Sequence, residues 1–240
     1  MTEVKVWSLV RHNTTMEWGE TFRNEHEWAA IHIKKIVKAD TLAPKASFNW
    51  PGLGKVWPDR QAAFEASLCR MIAEKILADG HAGSVIIPVP NSSGVVGSQE
   101  GFRTMDLARR IAASSGGQLF AQDHLRWNGA VGKSHLGQRA RNVDEHMARL
   151  AIVGKPDRKI VLFDDMVTSG SQMCAAKLKL EAAGYQIAAC YSVLDVLDAG
   201  ERGTPPEWKL INRRLSRTAD LLALFEQLGP LQPPPKLAGG

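Results

Sequence analysis

The stretch that constrains this chain most runs from Lys159 to Gln172, KIVLFDDMVTSGSQ. Ile160 to Phe163 are apolar without interruption. A short run of that kind reads as a strand buried on both faces of a parallel sheet. Asp164 and Asp165 follow at once, then a turn through Thr168, Ser169, Gly170 and Ser171, then a helical pattern. Open α/β sheets bind ligands beyond the carboxyl ends of such strands, so this order of residues predicts a site there. Gly170 lets backbone approach a ligand closely, the first amides of the helix lack intrahelical acceptors, and the neighbouring hydroxyls add donors. Those are the parts of a phosphate cradle. Two carboxylates just upstream would repel a phosphate in contact with them, but they suit a neutral diol, or its magnesium, a few ångströms away. A sugar phosphate satisfies both halves. The acidic pair alone has a plainer reading, since strand-end carboxylates occur in many doubly wound folds.

Taken whole, the run resembles the phosphoribosyl pyrophosphate (PRPP) motif of the type I phosphoribosyltransferases. The resemblance implies that Asp164 and Asp165 hold the ribose hydroxyls and that Thr168, Ser169, Gly170 and Ser171 wrap the 5′-phosphate. It also implies Mg2+ arriving with PRPP, near Asp164 and Asp165 but without a dedicated protein cage, and a homodimer by family analogy. One position departs: Gln172 stands where the family usually has a further Thr or Ser.

A second junction of strand and loop occurs at Ser84 to Phe102, SVIIPVPNSSGVVGSQEGF, where Val85 to Val89 run into a polar, glycine-containing loop. Two such junctions imply a composite site along one sheet edge. Ile87 to Pro90, with Gly101-Phe102 and Leu107-Ala108 behind, resembles the competence-associated, ComF-like branch of the same family. In that comparison Asn91, Ser92 and Ser93 form the pyrophosphate loop, with Arg103 close behind. Arg103-Thr104 replaces the Asn-Gln common in that branch. The cationic stretch from Asn128 to Arg149 lacks clean periodicity and resembles the branch's flexible catalytic loop. Lys133, Arg139 and Arg141 are its candidates for closing on pyrophosphate; the alternative is a surface charge run. Leu194 to Gly203, LDVLDAGERG, occupies a place similar to the orotate-type branch's loop near the acceptor base.

Elsewhere the pattern is structural. A helix is expected from Asp59, with Phe64, Leu68, Met71, Ile72 and Ile76 on one face and Gly80 as its stop. Another is expected over Thr104 to Ala113, with Arg109 and Arg110 outward. Met173 to Ala183 and Ile187 to Leu194 complete a βαβ unit, and Thr218 to Leu228 form a last amphipathic helix. The expected division is a Trp-rich N-terminal subdomain or hood over residues 1–58, an α/β domain over 59–228 and a Pro/Gly tail over 229–240. The fold class expected is α/β, doubly wound around a mostly parallel sheet.

The first 58 residues carry Trp7, Trp18, Trp28, Trp50 and Trp57 beside Arg11, Lys34, Lys35 and Lys38. Such residues either stack bases or build a subdomain core. The net charge of +5 permits a polyanionic partner without requiring one. Cys69, Cys174 and Cys190 have no Cys-x-x-Cys spacing, which favours a reduced, cytoplasmic setting over a disulfide framework or zinc ribbon. No apolar run has the length of a membrane span, and the N-terminus has no signal-peptide core. The function expected is transfer of ribose 5-phosphate from PRPP to a nitrogen nucleophile with release of pyrophosphate. A PRPP or nucleotide sensor without turnover and a nucleic-acid-binding accessory protein are the alternatives.

Overall fold

Strand pairing in the computed structural model, which describes residues 2–13, 23–129, 142–198 and 200–215, is set by one uninterrupted apolar strand at its centre. The chain runs β1 (Thr2–His12), α1 (Glu25–Val37), β2 (Phe48–Trp50), β3 (Gly54–Val56), a 3-10 turn (Pro58–Arg60), α2 (Gln61–Ala78), β4 (Val85–Pro88), α3 (Arg103–Ala113) and β5 (Phe120–Ala121). It continues through β6 (Leu125–Trp127), α4 (Val143–Arg149), β7 (Leu150–Ile152), β8 (Ile160–Val167), α5 (Ser171–Ala182), β9 (Ile187–Val196) and β10 (Lys209–Leu215). Six strands form the main sheet in the order β10-β1-β9-β8-β4-β5. Every neighbouring pair is parallel except β10 with β1.

β8 shows why the sheet needs cover on both faces. Val161 and Phe163 pack into a core shared with α1, α2 and α3, whereas Ile160 and Leu162 pack into a second core shared with α4 and α5. All four are fully buried. Each burial stabilises the fold by roughly 1.5–3 kcal/mol, so a polar residue at any of them would unbalance one layer. The expected α/β class with a mostly parallel, two-sided sheet is therefore what the chain forms.

The helices follow their sequence patterns closely. On α2, Phe64, Leu68, Ile72 and Ile76 are buried, and Met71 packs at the margin of the same core. The N-cap is Arg60, one residue later than the expected Asp59, which lies in the 3-10 turn. Gly80 takes φ +81° just past its end, the left-handed conformation that closes a helix with little steric cost for glycine. α3 spans Arg103–Ala113; its Arg109 pairs with Asp106 and its Arg110 with Glu65, so both arginines face outward to carboxylates.

The expected hood over residues 1–58 is corrected by the sheet. β1 lies inside it, parallel to β9 and antiparallel to β10, and Val4 and Val6 belong to the α4/α5-side core. Phe48 and Trp50 also join the main core, meeting Phe64 edge-on with ring centroids 5.0 and 4.7 Å away. The Trp50 indole N–H donates to Ser67 at 3.1 Å. Aromatic density here serves α2 packing, which is the physical reason the segment does not separate. β8 also continues through Asp164 and Asp165 to Val167 instead of stopping at Phe163. The expected helix over 218–228 and the 229–240 tail lie outside the described residues. Cys69, Cys174 and Cys190 are free and buried. Among the described residues no helix is long and apolar enough to cross a membrane.

Candidate functional site

Two parallel strands, β4 and β8, bring the two strand-to-loop junctions to one edge. Their register pairs Pro88 with Phe163, and the Val89 amide continues the ladder by donating to the Phe163 carbonyl at 2.8 Å. Asn91 to Ser93 therefore leave the sheet beside Asp164 and Asp165, which remain in β8 and stay paired to β9. Between them stands Arg103, the first residue of α3. Its Nε donates to Asp165 Oδ2 at 3.0 Å, and its Nη2 makes a second, shorter bond to the same oxygen. The Thr104 hydroxyl donates to the Val89 carbonyl at 2.8 Å, which fixes the start of α3 against the end of β4.

Burial gives the two carboxylates different chemistry. Asp164 is 7% exposed, and its Oδ1 accepts the Asp165 amide at 2.8 Å. Burial first, and then the adjacent Asp165 charge, push the Asp164 carboxyl well above the ordinary aspartate range. Asp165 is just as buried but holds the Arg103 guanidinium. The pair thus consists of one carboxyl that favours its proton and one anion with a cation already on it.

The loop after β4 is held by groups the sequence does not single out. Trp127, fully buried on β6, donates its indole N–H to the carbonyls of Pro90 and Asn91 at 2.9 and 3.0 Å. Arg126 donates from Nη1 to the carbonyls of Val95 and Ser98, both at 2.8 Å. At Gly94 an added Cβ would fall 2.8 Å from Pro90 Cβ and 3.2 Å from the Phe102 ring, so only glycine fits beneath the loop. Ser92 and Ser93 are exposed at its tip, and the Ser93 hydroxyl donates to Asn91 Oδ1 at 3.1 Å.

The hydroxyl loop after β8 leads into α5 with Gly170 as its N-cap at φ +82°. A glycine N-cap offers no side chain of its own to the helix amides beyond Ser171. Ser169 Oγ lies 2.9 Å from Ser171 Oγ and accepts the Ser171 amide at 3.4 Å. Thr168 is exposed and Ser171 buried. The close approach that Gly170 permits is to protein: a Cβ there would lie 2.9 Å from Arg213 Cβ and 3.0 Å from its Cγ.

Leu194 to Gly203, expected near an acceptor, is tied into the fold at several points. Asp195 is 1% exposed, with Arg213 Nη2 donating to it at 2.7 Å and Arg11 Nε 3.6 Å away. Its burial outweighs these cations and raises its carboxyl above the ordinary range. Glu201 accepts Arg11 at 2.8 Å. Glu27, in the capping box of α1, accepts the Gly203 amide and the Arg202 guanidinium. Burial works against the Glu27 anion, but the Gly203 and Asn24 amides and Arg202 together hold its carboxyl below the ordinary range. Lys34, cited beside the tryptophans, sits 3.1 Å from His12 Nε2 at the end of β1. Burial, then Lys34, Arg23 and Lys38, lower His12 to about 4, so it is the neutral acceptor of that contact.

The structure therefore brings together Asp164, Asp165 and Arg103, with Asn91, Ser92 and Ser93 on the adjoining strand end and Thr168 to Ser171 on the next turn. Lys133, Arg139 and Arg141 lie outside the described residues. Trp127, Arg126 and Arg213 carry the site's geometry without a sequence signal. The described residues contain no group of three His, Cys, Asp or Glu that could hold a metal ion.

No protein-family model matches the sequence, and no curated protein matches it. Among solved structures, the chain is similar to orotate phosphoribosyltransferase from Aeropyrum pernix, at 14% identity over 68% of this chain and 79% of that one, with a TM-score of 0.34. It is also similar to a hypoxanthine phosphoribosyltransferase from Staphylococcus aureus, at 10% identity over 61% and 70% of the two chains and a TM-score of 0.36. A third is adenine phosphoribosyltransferase from Leishmania donovani, at 12% identity over 80% and 92% and a TM-score of 0.35.

Proposed function

We propose that the chain is a PRPP-dependent phosphoribosyltransferase of the type I kind, transferring ribose 5-phosphate to a nitrogen nucleophile. The observation that carries this reading is the meeting of Arg103 with Asp165 at the edge where the hydroxyl loop opens α5. A leaving pyrophosphate needs a cation, a ribose diol needs acceptors, and a 5′-phosphate needs amides and hydroxyls. All three requirements have residues within one strand end of each other.

In the reaction the C1–oxygen bond to pyrophosphate breaks, the C1–nitrogen bond forms, and the nucleophile's proton leaves to solvent. As pyrophosphate departs, positive charge develops on the ribose ring. Asp164 and Asp165 orient the ring hydroxyls, and Asp165, once Arg103 leaves it, places negative potential near that charge. Arg103 exchanges Asp165 for the departing pyrophosphate, and the Asn91 to Ser93 loop offers amides and hydroxyls beside it. Thr168, Ser169 and Ser171 fix the 5′-phosphate with the first amides of α5. A magnesium ion arriving with PRPP would be held by Asp165, released from Arg103, and by Asp164 once it gives up its proton, and would supply neutralisation of leaving-group charge. Lys133, Arg139 and Arg141 are assigned to closure over the pyrophosphate.

The Arg103–Asp165 pair also favours a second reading, a PRPP sensor. An ion pair that self-neutralises in the empty site would switch on binding without turnover. Calorimetric titration with PRPP, with and without Mg2+, tests both. Binding that strengthens with Mg2+ and weakens in Asp165→Asn is expected, and no binding by folded protein would overturn the reading. Pyrophosphate release with ammonia or free nucleobases separates enzyme from sensor.

A further inference from the structure

The Trp-rich segment, absorbed only in part by the core, builds a cavity of about 640 Å³ away from the β4/β8 edge. Its walls come from the first turns of α1, the β2–β3 hairpin and Pro205-Pro206, and it shares no lining residue with the site above. On one wall three rings form a near-parallel series. Trp28 lies on His32 with centroids 6.4 Å apart and planes 24° apart, and His32 lies on Phe48 at 6.2 Å and 28°. The series ends towards solvent at Trp28, which is 51% exposed while Phe48 is 5% exposed; the Arg23 guanidinium lies 6.0 Å from the Trp28 ring centroid, a loose contact that a stacking ring would displace. An exposed Trp whose inner face is already stacked offers a flat apolar platform to a further ring.

The polar groups around this platform narrow the ligand. Lys45 and Lys55 both line the cavity and are exposed, and the Lys55 ammonium sits 4.6 Å over the Trp57 ring. Glu25 is also on the rim, 3.7 Å from His26. His32 Nδ1 is buried without a hydrogen-bond partner, so the stack contains a polar atom left to be satisfied. Burial, then Lys35, lower the His32 pKa, which keeps the ring neutral and able to present one donor and one acceptor nitrogen. A flat platform and two rim ammoniums fit a planar aromatic ring that carries an anion; His32 Nδ1 lies one ring behind the platform and backs Trp28 without reaching the ligand. The volume suits one such molecule, whereas a polynucleotide would need a track of cations continuing beyond the rim.

We propose that this cavity is a mononucleotide site, in which the base extends the Trp28–His32–Phe48 stack and the phosphate meets Lys45 and Lys55. It goes beyond the PRPP reading because the residues differ, while a mononucleotide, as a product of the proposed transfer, would also fit the β4/β8 edge; the variants below separate the two sites.

AMP is the probe, titrated calorimetrically into the 240-residue chain with adenosine and ribose 5-phosphate as partial ligands. Saturable AMP binding is expected, with one site that Trp28→Ala weakens and Asp165→Asn does not. Base stacking on one aromatic is worth roughly a 5- to 150-fold change in affinity, so Trp28→Ala should weaken AMP by at least that lower factor. Trp28→Phe, which keeps a platform, should recover most of it, and the rescue separates stacking from misfolding. Lys45→Ala/Lys55→Ala should weaken AMP more than adenosine. Asp165→Asn should leave AMP affinity unchanged, so failure of the PRPP reading and failure of this one are distinguishable. AMP binding absent, unmoved by Trp28→Ala, or lost in Asp165→Asn would overturn the proposal. A single-stranded oligonucleotide binding far more tightly than AMP, with a steep salt dependence, would overturn it in favour of a nucleic-acid surface.

Discussion

Gly170→Ala should destabilise the protein whether or not a ligand is present, and its cost can be worked out from two separate terms. The residue sits at φ +82° and ψ 0°, left-handed backbone in which an L side chain costs about 1–2 kcal/mol. The new methyl would also lie 2.9 Å from Arg213 Cβ, 3.0 Å from Arg213 Cγ and 3.4 Å from Val4 Cγ1. Arg213 Cβ belongs to a paired strand and cannot swing away, so relief requires a backbone shift of the order of 1–3 kcal/mol. The sum is about 2–5 kcal/mol, which in a chain of this size lowers Tm by roughly 4–20 °C. Urea unfolding of the ligand-free protein reads it directly. Combining Gly170→Ala with Arg213→Gly removes the overlap but not the backbone term, and it also removes the Asp195 ion pair. The cycle therefore needs Arg213→Ala as the control that loses the ion pair alone. A Gly170→Ala variant within about 0.5 kcal/mol of the parent would refute both terms. The same reasoning changes how a loss of PRPP affinity in Gly170→Val should be read, since a strained turn moves the phosphate loop without any contact between the new side chain and ligand.

Three further outcomes are expected. Asp164 holds its proton more tightly folded than unfolded, so its contribution to stability falls as pH rises from the ordinary aspartate range through the raised folded value. Asp164→Asn keeps an acceptor for the Asp165 amide and should melt higher than the parent near pH 8, with the gap closing near pH 4; a lower Tm at about pH 8 would sink the assignment. Arg103→Ala leaves Asp165 buried without its cation, so stability should drop by about 1–3 kcal/mol at neutral pH, and no drop in a denaturant series would show the pair to be idle. Trp127→Phe removes the donor to Pro90 and Asn91 and should cost about 2–4 kcal/mol, with faster amide exchange over residues 91–101; unchanged exchange there would mean that other contacts hold the loop.

Legibility in this chain follows distance along it. β8, β4, α2 and α3 were readable because their signals are local: four consecutive apolar residues for a strand covered on both faces, or apolar residues recurring on one helix face. β1 was not, since its buried Val4 and Val6 are followed by Ser8, Leu9 and Val10, which neither alternate nor run unbroken. β10 was harder still. KLINRRL alternates half-buried and exposed residues at the antiparallel edge, and its polar positions look like surface until the partner is known. The site divides in the same way. The acidic pair and hydroxyl loop are contiguous, but Arg103 reaches Asp165 across 62 positions, and Trp127 supports a loop more than thirty residues earlier. One missed strand also displaced the reading of a residue that was otherwise well chosen. Gly170 stands out in the sequence because something must come close to it, and with β10 unread the open side is assigned to a phosphate. In the fold, part of that side belongs to Arg213, whose guanidinium is in turn held by Asp195 and Asp198. The turn that opens α5 is therefore shaped by protein contacts before any ligand arrives, which is the condition under which a phosphate cradle can be pre-organised instead of assembled on binding.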